Sequence, residues 1–188
     1  LLRRINDVKG ILVRGVKADK ELFDNAPELK VVSNISVGYD NFDLDEMRKR
    51  RIIGTHTPGV LDETVADTVF ALMLAAGRRI VELDNLVKNG LWDEGSDERF
   101  FGLDVHTTTL GIIGMGRIGE AVARRGRLGF NMKVLYYNRN RKIQTENSLG
   151  VEYSSLDNLL QDSDYIVLLT PLTAQTRLLI GQREFNMM

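Results

Sequence analysis

Cysteine is absent from the 188-residue sequence, so disulfides, thiol nucleophiles and zinc–thiolate sites are excluded, and we predict no metal site. Net charge is also almost absent, because 25 lysines and arginines are balanced by 26 aspartates and glutamates. A chain without a broad positive field is a poor partner for nucleic acid or an anionic membrane, and we predict neither. No apolar run approaches the roughly 20 residues of a membrane span, and no signal peptide precedes the first predicted strand. We therefore expect a cytoplasmic protein.

What is present is the composition of an ordinary soluble globular protein, with 43% hydrophobic and 27% charged residues. A chain of this length can bury a sizeable core, as one large domain or as parts of two. The sequence starts at Leu1 rather than at a methionine, and its last segment, from Gly181, stops where a helix begins. We therefore expect an internal part of a longer protein, truncated at both ends, with apolar sheet edges exposed.

Apolar runs suited to buried strands alternate with helical patterns along the chain. The predicted strands lie at residues 9–13, 29–34, 51–55, 109–114, 133–137, 151–153 and 165–170, the sixth being weak. This alternation predicts an α/β protein with parallel sheets and crossover helices. Apolar residues also recur with a helical period from Asp62 to about Lys88, with Asp62 and Thr64 as predicted cap or first-turn residues. Residues 89–108, rich in glycine and aspartate, are predicted to form a connection.

A glycine-rich turn follows the strand predicted at 109–114 and opens a helix. Gly114, Gly116 and Gly119 fit the pattern G-x-G-x-x-G, whose glycines allow a tight turn, close approach of backbone to a pyrophosphate, and close packing of helix on strand. The free N–H groups and the positive dipole end of that helix favour phosphates. Because a strand precedes the turn and a helix follows it, we predict a dinucleotide site; an ordinary glycine-rich turn is the alternative.

The residues after the next strand indicate which dinucleotide is bound. Asn138 lies 19 residues after Gly119, close to the ~20-residue offset at which an acidic residue binds the ribose of NAD. An amide there removes the repulsion that a carboxylate would exert on the 2′-phosphate of NADP. Arg139, with Arg141 as a second candidate, can donate charge-assisted hydrogen bonds to that phosphate. We predict that NADPH is preferred over NADH; a solvated basic loop is the alternative.

Four stretches, in a fixed order, resemble the D-isomer-specific 2-hydroxyacid dehydrogenase family: SNISVGYDNFDLD at 33–45, GTHTPGVLDETVADTVFALMLAAGRR at 54–79, TLGIIGMGRIGEAVARR at 109–125 and DYIVLLTPLTAQTRLLIG at 164–181. Within that family the chain is most similar to glyoxylate/hydroxypyruvate reductases and 2-ketogluconate reductases. The resemblance runs through nearly all of the chain. It implies a partial flavodoxin-like substrate-binding domain at 1–60, a long connecting helix region at 61–90, and a partial Rossmann-type, doubly wound dinucleotide-binding domain at 91–188.

The resemblance also implies roles for particular residues. The amides around Val37 and Gly38 would hold the substrate carboxylate, and a purely structural turn is the alternative. Thr64 would contact the nicotinamide end of the cofactor, and residues 170–172 follow a strand at the crevice where doubly wound sheets bind ligands. The full predicted cofactor-binding set is Thr64, Gly114, Gly116, Arg117, Ile118, Gly119, Asn138, Arg139, Asn140, Arg141, Thr170, Pro171 and Leu172.

The catalytic arginine, glutamate and histidine of the family would all lie beyond the end of this sequence. His56 and His106 are the only histidines, and we interpret both as structural or surface residues. Arg177 and Arg183 lack the family's Arg-Gly context. We therefore assign no catalytic residue and expect the chain alone to be inactive.

The resemblance implies NADPH-dependent reduction of a small 2-oxo acid (glyoxylate, hydroxypyruvate or 2-ketogluconate) to the D-2-hydroxy acid, with hydride transfer from the nicotinamide. A homodimer is also implied, with the Val65, Val69 and Met73 face of the long helix as a candidate surface; packing within the subunit is the alternative. A rival class is a non-enzymatic NAD(P)-sensing regulator resembling a corepressor. A methyltransferase binding S-adenosylmethionine would normally keep an acidic ribose ligand, so Asn138 argues against it. A structural domain with a vestigial site would require coincidental glycines.

Overall fold

The computed structural model describes residues 5–92 and 98–188, and these residues form two compact units. The first unit contains the described residues up to Leu61 together with Pro171–Arg177, and the second contains those of Asp62–Thr170 together with Leu178–Met188. Residues 93–97, which fall in the predicted connection, lie outside the described residues. None of the helices in the described ranges is long and apolar enough to cross a membrane.

The first unit contains a three-stranded parallel sheet in the order β1-β2-β3. Its elements are β1 (Gly10–Val13), α1 (Lys20–Asp24), β2 (Val31–Asn34), α2 (Leu44–Arg50) and β3 (Ile53–Thr55). Aspartate caps start both helices, because Asp19 accepts a hydrogen bond from the Leu22 amide and Asp43 accepts one from the Glu46 amide. Phe23 and Val32 are fully buried in the core of this unit. The predicted strands and the parallel arrangement are confirmed.

The second unit contains a four-stranded parallel sheet in the order β6-β5-β4-β7. Its elements are α3 (Asp62–Gly77), α4 (Ile80–Lys88), β4 (Thr109–Ile113), α5 (Arg117–Arg124), β5 (Lys133–Tyr137), α6 (Ile143–Leu149), β6 (Glu152–Tyr153), α7 (Leu156–Asp162), β7 (Tyr165–Leu168) and α8 (Gln182–Phe185). A π-helical turn, Arg125–Gly129, extends α5. The chain reverses its direction of travel across the sheet between β4 and β7, which is the switch point of a doubly wound fold. The predicted Rossmann-type arrangement is confirmed, including the weakly predicted strand at 151–153, which is β6.

The helix predicted from Asp62 to about Lys88 is two helices rather than one. The backbone amide of Leu103 donates to the Gly77 carbonyl at 2.7 Å, so that carbonyl is not available to continue the helical ladder. Arg79 adopts a left-handed conformation with φ of 53°, and its guanidinium binds the Glu82 carboxylate at 2.6 and 2.8 Å. The break therefore depends on a partner 26 residues away in the sequence, which helical periodicity alone cannot reveal.

The apolar face of α3 packs inside the second unit. Phe70 and Met73 are buried in the core of this unit, and Val69 packs against the same core. Phe70 also stacks on Phe130, with ring centroids 4.8 Å apart. Of the two roles left open for the Val65, Val69 and Met73 face, the structure supports packing within the subunit.

Candidate functional site

The glycine turn begins directly after β4, at the carboxyl end of the sheet. Gly114 has a φ of +108°, a conformation that L side chains rarely adopt, and its amide donates to the Tyr137 carbonyl at 2.9 Å. A Cβ atom on Gly114 would lie 2.8 Å from the Leu169 carbonyl, which belongs to the segment after β7. This glycine therefore allows the tight turn that the sequence pattern predicts.

The other two glycines of the turn differ sharply in what surrounds them. A Cβ on Gly119 would lie 2.4 Å from the Gly114 carbonyl oxygen, so this glycine lets α5 pack closely on the turn. A Cβ on Gly116, in contrast, would have nothing within 4 Å. Gly116 is also the N-cap of α5. Open space beside the N-cap and free first-turn amides fit a pyrophosphate, so the residues present fit a bound dinucleotide.

Ion pairs join the start of α5 to the start of α3. Arg117 donates from Nε to the Asp62 carboxylate at 2.8 Å, and its side chain remains exposed. About two turns further along, where the π-helical turn begins, Arg125 donates to Glu63 and to Asp67, each at 2.7 Å. These pairs fix α5 and its extension against the first two turns of α3. Ile118, predicted in the same set, packs against the core of the unit.

Residues 138–142 form a loop after β5, which is called the basic loop below. Asn138 donates from Nδ2 to the Asn140 carbonyl at 2.8 Å, so its side chain shapes the loop. Arg139 is exposed, and among the residues that the structure describes it has no hydrogen-bond or ion-pair partner. Its charge is therefore available for an anion.

Arg141, the second predicted phosphate ligand, is already engaged. It donates to both carboxylate oxygens of Glu146, at 2.8 and 2.7 Å. Glu146 also accepts a hydrogen bond from the hydroxyl of Tyr136 at 2.7 Å. Arg141 and then Tyr136 lower the pKa of Glu146 from 4.5 to about 2. Glu146 is therefore ionised throughout the neutral range, and its charge compensates that of Arg141.

The remaining predicted cofactor residues lie at two chain positions. Thr64 is exposed in the first turn of α3, two residues after the Asp62 carboxylate that binds Arg117, and its carbonyl accepts from the Thr68 hydroxyl at 3.0 Å. Thr170 follows β7 beside Leu169, the residue against which Gly114 packs. Pro171 and Leu172 are exposed and belong to the first unit.

The predicted carboxylate-binding loop of the first unit follows β2 and is fixed by two side chains. Asn34, which is buried, donates from Nδ2 to the Gly38 carbonyl at 2.8 Å. His56 contacts the Val37 carbonyl through Nδ1 at 2.9 Å. Asn34 and His56 therefore hold the loop through two of its carbonyl groups. His56 thus has a structural contact, in agreement with our interpretation, and it also packs edge-on against Tyr39.

Three residues of the site were missed from the sequence: Asn34, Tyr136 and Glu146. Asn34 ends an apolar strand, where a buried amide is unexpected and could have been noticed as a polar residue in the run LKVVSN. Tyr136 looks like any aromatic residue of a buried strand. Glu146 lies on a short helix, and no sequence pattern links it to Tyr136.

Comparison with known proteins agrees with this geometry. The sequence profile of the D-isomer specific 2-hydroxyacid dehydrogenase NAD binding domain matches residues 70–188. Glyoxylate/hydroxypyruvate reductase B of Salmonella typhimurium is 47% identical over 180 residues, which are 96% of this chain. The chain spans only 56% of the length of that curated relative.

Solved structures show the same fold. D-Lactate dehydrogenase from Aquifex aeolicus, complexed with NAD and lactic acid, aligns with a TM-score of 0.92 at 34% identity, over 100% of this chain and 56% of that one. An acyclic imino acid reductase in complex with NADPH and D-arginine aligns with a TM-score of 0.89 at 26% identity, over 100% of this chain and 59% of that one.

Proposed function

The chain belongs to the D-isomer-specific 2-hydroxyacid dehydrogenase family, and from that premise we propose that the full-length protein is an NADP(H)-dependent reductase of a small 2-oxo acid. Glyoxylate, hydroxypyruvate and 2-ketogluconate are the candidate substrates, and the product would be the D-2-hydroxy acid. The 47% identity to a glyoxylate/hydroxypyruvate reductase supports this substrate class. The observation that carries the choice of cofactor is Arg139 at the carboxyl end of β5, which has no hydrogen-bond or ion-pair partner within residues 5–92 and 98–188.

The second unit would hold the cofactor through its turn and its basic loop. When bound, the nicotinamide supplies the hydride. The first-turn amides of α5, beside the open space at Gly116, would bind the pyrophosphate. Thr64 and Thr170, which also belong to the second unit, would lie toward the nicotinamide end. Arg139 would donate to the 2′-phosphate, and Asn138 places no negative charge beside it.

The expected preference for NADPH follows from the chemistry of one guanidinium contact. A hydrogen bond to a charged group contributes about 1.5–3 kcal/mol. Since about 1.4 kcal/mol corresponds to a tenfold change in affinity, one good contact favours NADPH by roughly one to two orders of magnitude. NADH has a hydroxyl in place of the phosphate and would gain little from Arg139.

The first unit would hold the substrate carboxylate through the amides of Val37 and Gly38. Asn34 and His56 engage the carbonyls of the same two residues, at 2.8 and 2.9 Å. A loop restrained through its carbonyls keeps its amides in one orientation, which an anion site requires. This arrangement supports the proposed role in binding and orienting the 2-oxo acid.

A homodimer is also part of the proposal. The apolar side chains that α3, α4 and the residues after α4 leave exposed would form the contact: Leu72, Ile80, Val81, Val87, Leu91 and Trp92.

The cofactor proposal is tested by fluorescence titration of the full-length protein with NADPH and with NADH. We expect NADPH to bind more tightly, and Arg139→Ala to remove that margin while leaving NADH binding almost unchanged. Arg48→Ala is the matched control, because it removes another exposed arginine, one that pairs with Asp45 in the first unit. Equal affinity for the two cofactors in the wild-type protein, or an unchanged preference in Arg139→Ala, would contradict the proposal.

A further inference from the structure

The hydroxyl of Tyr136 closes the base of the basic loop. Tyr136 is fully buried in β5, yet its hydroxyl accepts a hydrogen bond from the Lys142 amide at 2.6 Å and donates to Glu146 at 2.7 Å. A buried hydroxyl without partners would be unfavourable, so both contacts help to define one geometry. Tyr136, two residues before the loop, is thereby bonded to Lys142, the residue that ends it.

The carboxylate of Glu146 extends this attachment to Arg141. It accepts two hydrogen bonds from that guanidinium and one from Tyr136, and only 13% of its side chain is exposed. The Arg141 guanidinium also lies over the ring of Tyr153, 5.8 Å from its centroid. Two-pronged pairing and stacking both restrict the orientation of the planar guanidinium. Arg141 is thus held by the protein on two sides.

We propose that Tyr136, Arg141 and Glu146 form an anchor that positions the basic loop for the 2′-phosphate of NADP, and that Arg139, not Arg141, is the phosphate ligand. This inference rests on the proposed function, because it concerns how the NADP preference is produced. The three anchor residues are positioning residues, since the charges of Arg141 and Glu146 compensate each other and the Tyr136 hydroxyl is hydrogen-bonded within the protein. In the part of the chain that the structure describes, Arg139 is the arginine of the loop that has no ion-pair partner.

The anchor and a direct role for Arg141 have opposite consequences when Glu146 is neutralised. If Arg141 were the phosphate ligand, Glu146→Gln would free its guanidinium from a competing carboxylate and would tighten NADPH binding. If Arg141 anchors the loop, the same substitution loosens the loop and weakens NADPH binding. Arg141→Ala weakens binding under both hypotheses, so it is not a decisive variant.

The test uses the full-length protein with Tyr136→Phe and Glu146→Gln, each titrated with NADPH and NADH by fluorescence. We expect each variant to bind NADPH about three- to tenfold more weakly, as for the loss of one or two hydrogen bonds, with NADH affinity changed by less than about twofold. Tyr153→Phe is the matched control, because it removes a tyrosine hydroxyl beside Tyr136 but keeps the ring under Arg141. It should retain the wild-type ratio of NADPH to NADH affinity. If Tyr136→Phe fails to fold, Glu146→Gln carries the test.

Several outcomes would overturn the inference. Tighter NADPH binding by Glu146→Gln would make Arg141 the ligand, and an unchanged affinity ratio in both variants would show that the anchor does not set it. If both variants bound NADPH and NADH more weakly by the same factor, the anchor residues would have a merely structural role. If wild-type protein prefers NADPH and Arg139→Ala loses that preference, these outcomes affect the anchor alone. If the wild-type protein does not prefer NADPH over NADH, both the proposed cofactor choice and the proposed anchor are contradicted.

Discussion

Alanine substitution of the three glycines in the turn should separate folding from cofactor binding. Gly114→Ala and Gly119→Ala place a methyl group against backbone atoms, at 2.8 and 2.4 Å, whereas Gly116→Ala places one in open space. The first two variants should be unstable. The third should fold normally and fail to bind the dinucleotide, since its methyl group occupies the space assigned to the pyrophosphate.

The magnitudes follow from the local geometry. At Gly114, a strained backbone conformation with φ of +108° adds about 1–3 kcal/mol, and the contact with the Leu169 carbonyl adds about 1–3 kcal/mol of overpacking. At roughly 2–4 °C per kcal/mol, Gly114→Ala should lower the melting temperature by at least about 4 °C. Gly116 has an extended conformation with φ of −93°, which alanine adopts freely. Alanine is a poorer N-cap than glycine, which costs about 0.5–1 kcal/mol, but it lowers the entropy of the unfolded chain, which stabilises the fold by about 0.5–1 kcal/mol. Gly116→Ala should therefore leave the stability nearly unchanged.

The assay combines thermal unfolding, followed by circular dichroism, with NADPH titration for all three variants of the full-length protein. The expected result is a crossed pattern: a low melting temperature for Gly114→Ala and Gly119→Ala, and a normal melting temperature with lost binding for Gly116→Ala. A Gly116→Ala variant that melted several degrees below wild type would contradict the open space at this position. Binding of NADPH by Gly116→Ala with wild-type affinity would contradict the assignment of that space to the pyrophosphate.

Two further predictions concern residues that support the site. Glu146 has a folded-state pKa of about 2 against an ordinary value of 4.5, so its contribution to stability is present above about pH 4.5 and is lost as the pH falls toward 2. The free energy of unfolding, measured with urea at pH 6 and at pH 3, should therefore change less with pH for Glu146→Gln than for wild type. An equal change in the two proteins would contradict this. Asn34→Ala removes a buried donor to the Gly38 carbonyl, and we expect a loss of about 1–3 kcal/mol in stability together with a raised KM for the 2-oxo acid. An unchanged KM would show that Asn34 does not affect substrate binding through the loop of Val37 and Gly38.

The strands and the glycine turn could be predicted from the sequence because their signals are local. Buried parallel strands are short apolar runs, and the turn needs its glycines at a fixed spacing from one strand end. The conformation at Gly114 and the close packing at Gly119 are what that spacing encodes. The offset from Gly119 to Asn138 is equally local, because it is the length of one helix and one strand.

The residues that were missed depend on contacts that no local pattern records. Tyr136 and Glu146 are ten residues apart on different elements, and their pairing appears only when α6 is placed beside β5. The break between α3 and α4 depends on Leu103, which is distant in the sequence. The sequence offers Arg139 and, as a second candidate, Arg141, and it does not show that Arg141 is already paired with Glu146.

The topology of the second sheet explains why its predicted cofactor residues come together at all. The glycine turn follows β4, the basic loop follows β5 and Thr170 follows β7, and these three strands are adjacent and parallel in the order β5-β4-β7. Adjacent parallel strands end at the same edge, so segments far apart in the sequence meet there without any special interaction between them. What topology does not determine is which charge is free at that edge. Glu146 compensates Arg141, whereas Arg139 has no ion-pair partner within residues 5–92 and 98–188. Under our proposal, a single carboxylate on α6 therefore decides which arginine can contact the 2′-phosphate.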